Sequence, residues 1–89
     1  MTTGEQRILK RFGRAVREHR HKLGISQEKL AEYADLHRTY VADVERGNRN
    51  IGLVNIVRLA AALKVTPGQL INPCSDFESN DVGPKKKHR

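Results

Sequence analysis

Apolar residues in this chain recur three and four positions apart from the N-terminal end to about Ile71, and nowhere alternate in the two-residue rhythm of a strand. That pattern predicts an all-α domain of five helices. Over about Glu5 to Leu23, a helix places Ile8, Leu9, Phe12, Ala15, Val16, His19 and Leu23 on one face. Arg7, Lys10, Arg11, Arg14, Arg17 and Arg20 fall on the other. Gly24 tolerates the left-handed conformation that ends a helix. Ser26 then offers an N-cap hydroxyl to a second helix, Gln27 to Ala34, with Glu28 near its positive end.

Asp35 and Leu36 break the pattern, and it resumes from His37 to Glu45 with Tyr40, Val41 and Val44 at helical spacing. Two short helices therefore flank a tight turn, and Asp35 suits it because Asp enters the left-handed region more readily than most residues. Gly47 to Asn50 reads as a loop. Leu53, Ile56, Val57, Ala60 and Leu63 mark a fourth helix capped by Gly52. Thr66-Pro67-Gly68-Gln69 has capping-box spacing with Pro at the first helical position, and opens a fifth helix ending near Ile71.

The domain is thus expected over residues 5–71. A mobile tail follows over 72–89, rich in Pro, Ser, Asp and Asn and ending in Lys85-Lys86-Lys87-His88-Arg89. Eighty-nine residues leave room for one small domain and exclude a large enzyme core. The formal charge of +7, from 17 Lys and Arg against 10 Asp and Glu, favours a polyanionic partner. The tail holds four of those basic residues and three of the acidic ones, so the positive field belongs to the domain itself.

Chemistry other than binding finds no support. The single cysteine, Cys74, permits neither an intramolecular disulfide nor a multi-cysteine metal site, and no nucleophile, phosphate-loop or zinc-protease motif occurs. His19 and His21 are two apart and point to different sides of a helix, which argues against a metal site. No catalytic residue, metal or cofactor is expected. The longest apolar run, Leu59 to Leu63, is far short of a membrane span, and the N-terminus lacks the apolar stretch of a signal peptide. A cytoplasmic location without membrane contact is the expectation.

Arg20, Gly24, Ser26-Gln27, Leu30-Ala31, Tyr40-Val41, Glu45-Arg46-Gly47, Leu59-Ala60 and Leu63, in that order, resemble the lambda-repressor-like (XRE-type) helix-turn-helix family of DNA-binding regulators. The likeness covers about Phe12 to Ile71. The run from Leu36 to Gly47, followed by Arg49-Asn50-Ile51, is most similar to the controller proteins of restriction-modification systems. The resemblance implies that helix two straddles the DNA backbone, helix three enters the major groove, and the last two helices complete the core and a dimer contact. Double-stranded DNA and a second copy of the chain are the implied partners, with RNA polymerase a candidate third.

The same resemblance places base-reading side chains at Arg38, Thr39 and Asp43. An Arg there can donate twice to guanine, and a Thr can meet thymine with its methyl. For Asp43, repulsion by DNA makes a capping or intramolecular role the competing reading. Gln27, Tyr40, Arg46, Arg49 and Asn50 are candidate grips on the phosphate backbone. Arg20 and Glu45 are implied to form a partly buried ion pair tying helix one to the end of helix three. Leu53, Val57, Val65, Leu70 and Ile71 exceed what so small a core needs, and are the expected dimer surface.

The function expected is a sequence-specific transcription regulator acting as a homodimer on a two-half-site operator, as a restriction-modification controller. A phage-type repressor or an antitoxin regulator is the alternative within the class. Outside the class, the basic amphipathic first helix would suit a protein-interaction or membrane-surface module.

Overall fold

The computed structural model describes residues 2–75. Among them are five helices: α1 Thr3–Leu23, α2 Gln27–Ala34, α3 Arg38–Arg46, α4 Leu53–Leu63 and α5 Pro67–Ile71. No strand occurs among the described residues, as the apolar spacing requires.

Local chemistry sets each boundary. α1 starts two residues before the expected Glu5 because Thr2 closes a capping box. Its Oγ1 accepts from the Glu5 backbone N–H at 3.0 Å, and Glu5 Oε1 accepts from the Thr2 N–H at 2.9 Å. Ser26 Oγ accepts from the Lys29 N–H at 3.0 Å, starting α2 at the expected residue. Thr66 and Gln69 form the reciprocal box anticipated for α5, with Pro67 at its start. Asp35 takes the left-handed conformation at φ 59° and turns the chain between α2 and α3. Lys64, at φ 62°, ends α4 in the same way, a cap that no residue preference signals.

The inward faces meet in one core. Phe12 and Val16 of α1 pack with Leu30 of α2, Val41 and Val44 of α3, Leu59 and Leu63 of α4 and Leu70 of α5. The leucines in this set are fully buried, each contributing roughly 1.5–3 kcal/mol relative to exposure. α1 comes so close to α3 that a Cβ on Gly13 would lie 2.3 Å from the Val44 carbonyl oxygen. Gly47, at φ 78°, ends α3, and a Cβ there would lie 2.6 Å from Lys10 Cγ.

Two expectations are corrected here. Leu70 was assigned to the dimer surface, but it is fully buried in the core and presents nothing to a partner. The ordered chain also continues past Ile71: Asn72–Cys74 forms a 3-10 turn against α1. It is held by the half-buried Cys74, whose Sγ lies 3.6 Å from the Ile8 carbonyl oxygen, and by Arg11, which donates to the Pro73 carbonyl at 3.5 Å. The Lys85 to Arg89 run lies outside the described residues.

Candidate nucleic-acid interface

Periodicity decides what α3 offers. Val41, Val44 and Glu45 are its buried positions, so the opposite side, carrying Thr39, Asp43 and Arg46, faces outward. Arg38 stands at the helix entry, exposed, and lines an open cleft of about 700 Å³ with Ser26, Glu28, Lys29 and Glu32 of the α2 side. Of the three expected readers, Arg38 and Thr39 are neighbours exposed to solvent at the start of the helix.

Behind this surface, one carboxylate joins three elements. Glu45, with no exposed side-chain surface, accepts from Arg20 Nε at 2.7 Å and from Arg20 Nη2 at 3.0 Å. Its Oε1 also accepts from Gln27 Nε2 at 3.0 Å and from Arg17 Nε at 3.4 Å. Burial pushes the Glu45 pKa up, but the hydrogen bonds from Arg20 and Gln27, the Arg20 charge and the Arg17 bond outweigh it. The group is held below the ordinary carboxylate value. The carboxylate is therefore ionised at neutral pH and fixes α3 to α1 and to the first residue of α2.

This network qualifies the part expected of Gln27. Its amide N–H₂ is half-buried against Glu45, which leaves the amide oxygen and the remaining N–H for any other bond. Asp43 is likewise engaged within the chain. Its carboxylate accepts from Arg46 one turn on and pairs with Arg49 at 3.5 Å. The intramolecular alternative considered for Asp43 is the arrangement seen.

Tyr40 is half-buried at the α3 and α4 junction, where its hydroxyl accepts from Asn55 Nδ2 at 3.0 Å. The Arg49 guanidinium stacks over its ring, 4.7 Å from the centroid. Arg49 is thus directed by Asp43 on one side and Tyr40 on the other, while Asn50 next to it is exposed. Arg17 and Asn55 went unnoticed as site residues in the sequence. Both act through partners far along the chain, and neither belongs to a local motif.

The described residues also expose apolar side chains on α4 and α5. Leu53, Val54 and Val57 of α4 and Ile71 of α5 are 71%, 65%, 46% and 42% exposed. Val65, also assigned there, is half-buried against the core, and Val54 was not foreseen. Among the described residues, no helix is long and apolar enough to cross a membrane.

Comparison with known proteins places the chain. Residues 14–70 match the model of a helix-turn-helix family. The control protein C.BamHI of Bacillus amyloliquefaciens is 52% identical over 71 residues, covering 79% of this chain and 85% of its own. The crystal structure of the restriction-modification controller protein C.AhdI from Aeromonas hydrophila is 52% identical, with a TM-score of 0.69 over 70% of this chain and 94% of that one. The P22 c2 repressor, solved in complex with a synthetic operator, is 26% identical, with a TM-score of 0.66 over 70% of this chain and 94% of its own.

Proposed function

The chain belongs to the XRE-type helix-turn-helix family of DNA-binding transcription regulators, and from that premise we propose that it is a restriction-modification controller acting as a homodimer on a two-half-site operator. The observation that carries the reading is the mounting of α3. Its outer side carries Thr39 and its N-terminal end leaves Arg38 exposed, while its inner side is locked to α1 and α2 through the single carboxylate of Glu45. A recognition helix needs this combination, because base-edge bonds discriminate only when the side chains making them are held in register.

In this reading Arg38 and Thr39 meet base edges, and Arg49, Asn50, Arg46 and the amide of Gln27 meet phosphates. Asp43 aims Arg46 and Arg49 rather than reading a base. The exposed apolar side of α4 with Ile71 forms the two-fold contact, which spaces two half-sites about one helical turn apart. The controller assignment is supported by the similarity to control proteins at about half identity, well above that to the phage repressor.

Selection of bound duplexes from a random pool at fixed salt tests the proposal. It should return an inverted repeat that the protein prefers over random DNA by about a thousandfold or more. Recovery of no common sequence would overturn it.

A further inference from the structure

The Glu45 network and the Asp43 pairs engage Arg17, Arg20, Gln27, Arg46 and Arg49, but not Lys10 and Arg14 on the outer side of α1. Lys10, Arg14 and Arg17 lie at i, i+4 and i+7, and so form one row along the helix. With Arg46 and Asn48 from the end of α3, they line an open cleft of about 400 Å³ above the buried Glu45. Lys10 and Arg14 also line a second cleft, of about 530 Å³, on the opposite side. These two residues are therefore the ridge between the clefts, and both are exposed. Neither makes an ion pair among the described residues, whereas Arg46, Arg49 and Lys29 each meet a carboxylate.

The row is continuous with the DNA-facing surface. Arg17 Nε and Gln27 Nε2 donate to the same oxygen of Glu45, at 3.4 and 3.0 Å, so the α1 row begins beside the first residue of α2. At its other end Lys10 lies over Gly47, at the start of the loop that carries Arg49 and Asn50. From Arg17 to Lys10 the helix advances about 10 Å, the rise of roughly three base pairs.

We propose that the Lys10 and Arg14 ridge of α1 holds phosphates of the DNA backbone beyond the base pairs that α3 reads, extending each protomer's grip past its half-site. The inference rests on the regulator reading above and adds a sequence-independent contact to it. Two exposed cations one turn apart, neither in an ion pair among the described residues, suit a polyanion with regularly spaced charges, and their row adjoins the surface already assigned to DNA.

The test uses the full chain and a duplex recovered by random-pool selection, made in two lengths. One is trimmed to the selected site and the other extended by about six base pairs at each end. The variant is Lys10→Gln with Arg14→Gln, which keeps the stems that cover Gly47 and removes both charges. Wild type should bind the extended duplex a few fold more tightly, with a steeper dependence of log affinity on log salt, and the variant should bind both lengths alike. On the extended duplex its salt slope should be lower by about one to two units. A variant that loses equally on both lengths, or a wild type indifferent to length, would overturn the proposal. If wild type shows no preferred duplex, the regulator reading fails and random DNA of the extended length still reads the ridge. There a slope lowered by about two supports the proposal, and an unchanged slope overturns it.

Discussion

The Arg20 guanidinium meets the Glu45 carboxylate edge to edge through two parallel hydrogen bonds, and spends its remaining nitrogen, Nη1, on the Ile25 carbonyl at 2.9 Å. A bidentate pair of this kind is the strongest form of such a contact, and here it is buried on the carboxylate side and nearly so on the guanidinium side. Removing one partner leaves the other charge without compensation in the interior. Glu45→Ala should therefore destabilise the fold by roughly 3–5 kcal/mol, read from the midpoint of urea unfolding. For a domain this small, that is enough to unfold much of the population at room temperature. A loss within about 1 kcal/mol would mean that the pair behaves as an exposed one.

Acid should act through the same group. The folded-state pKa of Glu45 lies below its ordinary value of 4.5, so the unfolded chain takes up the proton more readily than the folded one. The stabilisation is complete above that ordinary value and is lost as pH falls through the folded value. Thermal melts over a pH series should show a constant gap between wild type and Glu45→Gln at neutral pH, narrowing below about pH 4.5. A gap that widens in acid would contradict the assignment.

The contact between α1 and α3 fixes the position of α3, the helix proposed to read DNA. A methyl group on Gly13 would meet the backbone carbonyl oxygens of Val44 and Glu45 at 2.3 and 2.6 Å, and neither can swing aside as a side chain would. Gly13→Ala should cost roughly 1–3 kcal/mol and weaken specific DNA binding, because α3 must shift. Gly52→Ser is the opposite case. It caps α4 at φ −80° with open space around it, and should raise stability by a few tenths of a kcal/mol. Melting curves of both variants, with DNA titrations of the first, check the pair.

Helix periodicity made the helices, the Ser26 and Thr66 caps and the Asp35 turn legible in the sequence, because each rests on residues within four positions of one another. What stayed hidden depends on separation along the chain or on a choice between neighbours. Leu70 and Ile71 are adjacent and both apolar, and only the docking angle of α5 sends the first inward and the second out. Leu53 and Val54 are also adjacent and apolar, but both are exposed. The Arg20 and Glu45 pairing entered through family resemblance, but the Gln27 and Arg17 bonds to the same carboxylate depend on rotamers that no spacing specifies. The bond between Tyr40 and Asn55 spans two helices and leaves no local trace.

The apolar side of α4 gives a direct assay of assembly. Leu53→Asp with Val57→Asp places two charges on residues that are 71% and 46% exposed, so the monomer should keep its fold. Sedimentation should show wild type as a dimer and this variant as a monomer with much weaker operator binding. Leu70→Asp should unfold the chain instead, since it buries a charge in the core. A wild type that sediments as a monomer both free and on DNA would refute the dimer.

α3 is proposed to read bases through Arg38. The most direct measurement is the affinity of wild type and Arg38→Ala for the selected duplex and each of its single-base variants at one salt concentration. Arg38→Ala should lose roughly 1–3 kcal/mol per half-site on the selected duplex, with preference flattened at one base-pair position and kept elsewhere. Equal weakening on every duplex would make Arg38 a phosphate contact and contradict the assignment of α3 as the reading helix.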